Sequence, residues 1–156
     1  MPRLSVLFSA LVFAAACSPA DAPTPTAAEP SGPVLSYTDA FVMEPIGDRD
    51  MTMGGITLSV EGGDVKLTEA SSTSFGTIEL HTMAMSDGKM HMRQVQGFDI
   101  ADGGSLELKR GGNHFMMFDV GEDVVAGETV DISLSFDADG EPMTLVIEAD
   151  VRAVGE

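Results

Sequence analysis

Thr129-Val130-Asp131-Ile132-Ser133-Leu134-Ser135-Phe136 alternates apolar and polar residues without a break. Extended backbone places successive side chains on opposite faces. Val130, Ile132, Leu134 and Phe136 therefore share one face, and Asp131, Ser133 and Ser135 take the other. This is the period of two expected of a half-buried β-strand. Working outward, short runs of the same kind predict strands at Leu35–Met43, Gly55–Glu61, Val65–Ala70, Gly76–Met85, Met90–Gln94, Ser105–Lys109, His114–Val120 and Thr144–Val151. Turn chemistry separates many of them: Gly62-Gly63, Asp87-Gly88, Gly103-Gly104, Gly111-Gly112 and Asp139-Gly140. No part of the body carries a convincing helical period. Many short strands with regular turns indicate an all-β Greek-key sandwich or barrel.

The chain has 156 residues, a length that suggests one domain. No run of eighteen apolar residues follows the first twenty, so the body contains no helical membrane span. The formal charge is -17, from 25 acidic and 8 basic residues. Such a chain is repelled by phosphate backbones, which disfavours nucleic-acid binding. Asp137-Ala138-Asp139-Gly140 is short of a calcium loop, lacking its third ligand position and its terminal Glu. A hairpin turn is the better reading.

Residues 1–16, MPRLSVLFSALVFAAA, combine a basic Arg3 with an apolar run that ends in small residues, which is the form of an export signal. Cys17, the one cysteine, follows directly. This arrangement resembles a bacterial lipobox, in which the Cys is acylated and becomes the mature N-terminus. The membrane is then reached through the lipid at Cys17. The alternative is cleavage at Ala14–Ala16 to give a soluble secreted protein. Residues 18–33 are rich in Pro, Ala, Ser and Thr and are expected to form a semi-extended linker, reaching at most ~50 Å. The folded unit is expected over residues 34–156.

The methionines and histidines are distributed unevenly. All three His lie between positions 81 and 114, and six of the 11 Met lie between 83 and 117. Asp87-Gly88 is a strong two-residue hairpin signal. With that loop, Met85 opposes Met90, Met83 opposes Met92 and His81 opposes Gln94. His81, Met83, Met85, Met90 and Met92 then share one face, and His91 takes the other. A one-residue slip would reverse part of this set. Further on, His114 and Met116 share a face of the next strand, while Phe115 and Met117 take the opposite one, where core packing accounts for Met117.

Thioether sulfur is a soft, neutral ligand that selects copper(I). Zinc and calcium prefer thiolate, imidazole, carboxylate or carbonyl donors. A thiol-free donor set also suits an oxidising compartment. Against this, methionines commonly fill cores or make adaptable protein-binding surfaces.

The spacing of these residues resembles that of a known family, the periplasmic copper(I) chaperones called PCuAC. Its signature is His, ten residues, Met, twenty-one residues, His, one residue, Met. His81, Met92, His114 and Met116 follow that spacing. With this chain's composition, a chance match has a probability of roughly 3 in 10,000. Val65–Ser72, Ile78–His81, Leu106–Met116 and Asp39–Val42 also look like family sequence, so the resemblance extends over about residues 36–151. It implies a cupredoxin-like β-barrel and copper(I) held by His81, Met92, His114 and Met116. It further implies delivery of copper to the CuA site of cytochrome oxidase, with the oxidase subunit carrying that site or a Sco-type thiol protein as partner. Met83, Met85 and Met90 are possible auxiliary ligands that the signature does not assign. Many members carry a His/Met-rich tail. The last residues here, 151–156, contain neither residue type.

Copper sequestration and a tethered Met-rich interaction module are the competing functions. A blue-copper electron carrier would require a Cys thiolate in the body. Enzymatic function is disfavoured, since no His-Glu-x-x-His, nucleophile-elbow or phosphate-loop pattern occurs.

Overall fold

A computed structural model describes residues 32–155 of the chain. The export signal, Cys17 and nearly all of the expected linker lie outside the described residues. Among the described residues, ten strands make up the fold: β1 (Val34–Met43), β2 (Met51–Glu61), β3 (Val65–Ser71), β4 (Phe75–Ser86), β5 (Lys89–Gln94), β6 (Phe98–Ile100), β7 (Ser105–Leu108), β8 (His114–Val120), β9 (Thr129–Ala138) and β10 (Glu141–Arg152). The hydrogen-bonded order is β5-β4-β8-β2-β1-β10-β9-β3-β6, and β3 also pairs with β4. That last pairing closes seven strands into a barrel. The β1–β10 ladder is parallel and the others are antiparallel. β5, β6 and β7 are attached to β4, β3 and β2.

All nine strands expected from the sequence are present; most run one to three residues longer at an end, β10 from Glu141 rather than Thr144, and three further differences have an identifiable form. β6 is additional, and at three residues it is too short to display a period. β7 ends at Leu108 rather than Lys109, because Lys109 enters a turn closed by its own N–H to Asn113 O at 2.6 Å. β2 begins at Met51 rather than Gly55 and runs straight through the Gly54-Gly55 pair. The physical reason is crowding. A Cβ on Gly55 would lie 2.2 Å from Leu108 O, and one on Gly54 would lie 2.7 Å from Phe41 O. At this point β2 changes partner, from β8 over Met51–Gly54 to β7 over Ile56–Ser59. These glycines thus permit close approach within a strand instead of breaking it.

The apolar face of β9 points into the barrel. Val130, Ile132, Leu134 and Phe136 are buried and belong to one core with Phe115, Met117, Leu80, Ile56 and Leu58. Each such side chain contributes about 1.5–3 kcal/mol through burial. Both predicted Asp-Gly hairpins form. Asp87 and Gly88 have φ of 51° and 72°, and Asp139 and Gly140 have 53° and 90°. Positive φ at both central positions is the requirement of the type I′ turn, whose twist matches that of the flanking strands. Asp137 Oδ1 accepts from Gly140 N at 2.9 Å, so this carboxylate braces its own hairpin. Among the described residues, no helix is long and apolar enough to cross a membrane.

Candidate metal centre

The β4–β5 hairpin has the register that its turn dictates. His81 pairs with Gln94, Met83 with Met92, and Met85 with Met90. On the other side of β4, His81 pairs directly with His114 of β8, and Glu79 pairs with Met116. Register thus brings two imidazoles together from positions 33 residues apart, with ring centroids 5.8 Å apart and planes tilted by 56°. The intervening Leu80 and Phe115 point to the core. His81, Met83, His114 and Met116 therefore face away from the core on neighbouring strands.

Each imidazole is held by one nitrogen. His114 Nδ1 lies 2.9 Å from Gly112 O. A carbonyl only accepts, so Nδ1 donates and, in the neutral ring, Nε2 presents a lone pair. That Nε2 lies 3.1 Å from Met92 Sδ. The tight turn after β7 fixes the carbonyl, since Gly112 N donates to Lys109 O at 3.2 Å. Thr82 Oγ1 ties the turn to β4 through Asn113 Oδ1 at 2.7 Å. His81 Nε2 lies 2.7 Å from Glu79 Oε2, two residues back on the same face. Nδ1 of His81 is buried and has no hydrogen-bond partner among the described residues. A buried polar atom with no partner costs about 1–3 kcal/mol, and a lone pair aimed into such a position is suited to a cation. Imidazoles that bind metals usually anchor their second nitrogen to a carbonyl or carboxylate, as both do here.

Exposure differs across the set. His114 is only 5% exposed, whereas Met92 is 49% exposed. Met85 and Met90 are 67% and 51% exposed, towards the hairpin tip. His114, Met92 and Met116 line a cavity of about 260 Å³ together with Met43, Met51 and Met53. Glu44, Arg49 and Arg110 contribute charged groups to its wall. Among the described residues, no group of three or more His, Cys, Asp or Glu side chains converges. The local donors are instead nitrogen and thioether sulfur, a set that suits a soft monovalent ion.

Sequence reasoning missed Glu79 and the β2 methionines. Glu79 could have been found, because its i−2 spacing from His81 puts it on the same strand face. Met51 and Met53 also have the period of two, but the expectation that β2 starts at Gly55 concealed them.

The family model for LpqE-like lipoproteins matches residues 35–148. The chain belongs to the LpqE-like family, within the PCuAC group. No curated protein matches this LpqE-like sequence. Among solved structures, copper(I)-bound DR1885 from Deinococcus radiodurans is 28% identical, with 84% of each chain covered and a TM-score of 0.60. Apo-DR1885 is 25% identical, with 98% of this chain and 99% of that chain covered and a TM-score of 0.57. The copper-bound PCuAC domain of PmoF2 is 14% identical, covers 76% of this chain and 92% of its own, and has a TM-score of 0.61. At that identity the likeness is one of fold: the all-β, cupredoxin-like barrel expected from the sequence.

Proposed function

We propose that this LpqE-like chain is an exported copper(I) carrier rather than an enzyme, holding its cargo on His81, Met92, His114 and Met116. The observation that carries this reading is the approach of His114 Nε2 to Met92 Sδ at 3.1 Å, with His114 Nδ1 anchored on Gly112 O. The copper(I)-bound state of DR1885, at 28% identity, supports it. The four donors are themselves neutral, and the half-exposed Met92 leaves one side of the ion open to solvent. An incoming ligand from an acceptor can approach on that side while the buried His114 still holds. This combination suits transfer better than permanent storage.

The acceptor is the CuA site of cytochrome oxidase, reached directly or through a Sco-type thiol protein, as the family resemblance implies. Export through residues 1–16 and acylation at Cys17 would tether the carrier in the periplasm at a membrane. The LpqE-like lipoprotein family supports that placement. Mass spectrometry of the mature N-terminus reads the lipid directly.

Anaerobic competition against a chromophoric copper(I) chelator tests the carrier. The expected result is a tight equivalent that weakens at least tenfold in both His114→Ala and Met116→Ala. Unchanged affinity in both variants would sink the reading. Deletion of the gene is expected to lower oxidase activity at limiting copper. Normal oxidase with heightened copper sensitivity would assign sequestration instead. A stable protein complex captured in the presence of chelator would favour the interaction module.

A further inference from the structure

The cavity beside His114 has a second side that the four-residue signature does not include. Met53 of β2 is the register partner of Met116 on β8. Across β2, the β1 ladder runs Phe41↔Gly55 and Val42↔Gly54. Met43 is the next residue along β1, and continuing the same register past the last ladder pair sets it opposite Met53. Adjacent strands lie about 4.8 Å apart. Met43, Met53 and Met116 therefore form a row of thioethers across three neighbouring strands. Met51, two residues from Met53 on the same face, extends the row by about 6.7 Å along the strand. All four line the same cavity.

None of these methionines belongs to the buried core. Met51 is 46% exposed. Core filling therefore does not explain them, and a β-branched residue would serve an exposed strand better. Thioethers are soft donors that favour copper(I), and the three rotatable bonds of methionine let sulfurs from adjacent positions converge.

We propose that Met43, Met51 and Met53 form a second, weaker copper(I) station, bordering the first at Met116 and sharing its cavity. The inference rests on the carrier reading above. The station would take up an ion released from Met116 onto the adjoining thioethers of the same cavity. No bond changes other than metal–ligand exchange, and copper remains copper(I) throughout. The all-thioether set lacks imidazole, and a cation already on the first site repels a second, so this station fills last.

The experiment uses the full chain labelled with [13C-methyl]methionine, titrated anaerobically with copper(I) and followed by methyl NMR and chelator competition. Wild type is expected to take two equivalents. The first moves the Met92 and Met116 methyls, and the second, bound at least 100-fold more weakly, moves those of Met43, Met51 and Met53. M51L/M53L keeps volume and apolarity. It is expected to retain the first equivalent within twofold and to lose the second. A wild type that saturates at one equivalent, with the Met43, Met51 and Met53 methyls unmoved, overturns the second station and leaves the carrier intact. A second equivalent that survives in M51L/M53L overturns it as well. Absence of any tight equivalent in the wild type removes the carrier and this station together.

Discussion

At the scale of single residues, the chemistry depends on how two imidazoles are oriented. Glu79 does for His81 what the Gly112 carbonyl does for His114: it occupies one ring nitrogen and leaves the other for a ligand. Loss of such a supporting partner typically costs 10–100-fold in metal affinity. Glu79→Ala is accordingly expected to weaken copper(I) binding by about 10–100-fold. Glu79→Gln, whose amide oxygen can still accept from Nε2, should lose less. Chelator competition on the two variants measures the difference. Exposure also sets chemical vulnerability, because methionine oxidation follows solvent access. Under mild peroxide, the apo protein is expected to gain oxygen first at Met85, Met90 and Met92 and last at the fully buried Met117. Peptide mass mapping gives that order, and bound copper should protect Met92 relative to Met85.

At the scale of elements, the hairpin and β2 determine what reaches the site. Gly88 at φ 72° carries the turn that sets the β4–β5 register. An L side chain there pays for left-handed backbone, so Gly88→Ala should destabilise the fold by about 1 kcal/mol. The hairpin delivers Met92, and the same change is expected to weaken copper binding more than a comparable loss of stability at a distant turn such as Gly103. Gly55→Ala is a harsher test. Its Cβ would lie 2.2 Å from a backbone oxygen, and backbone cannot move aside like a flexible side chain. Overpacking of this kind costs about 1–3 kcal/mol or more, and chemical denaturation of the variant measures it. Much at this scale was legible in the sequence. The Asp-Gly turn by itself sets the pairing of six hairpin positions on each strand. The strand period likewise separated His114 and Met116 from Phe115 and Met117. The N-terminal half of β2 was hidden because Gly-Gly reads locally as punctuation, whereas the reason for those glycines is the distant Leu108 and Phe41.

At the scale of the whole molecule, the barrel core and the candidate site lie on opposite faces of the same strands. The apolar core cluster includes none of the side chains that line the cavity. The apo protein should therefore fold cooperatively. Copper(I) is expected to raise Tm through mass action on the native state, without changing the far-UV circular dichroism. A metal-free chain lacking a cooperative thermal transition would contradict this. Phe115→Ala, on the core face of β8, should cost about 3–5 kcal/mol.

The sequence by itself determined that the chain is all-β, where most strands run, and which side chains share a face along each strand and across the hairpin. Those properties follow from local rules: period-two alternation, and turns that require positive φ. It also determined the soft character of the donors, which is a matter of residue type. Only the tertiary structure decided that β4 lies beside β8 with His81 opposite His114, that Glu79 and Gly112 anchor the two rings, and that Met43, Met51 and Met53 join the same cavity. Pairing between distant strands is selected by the burial of all core faces at once, and no local pattern encodes that choice.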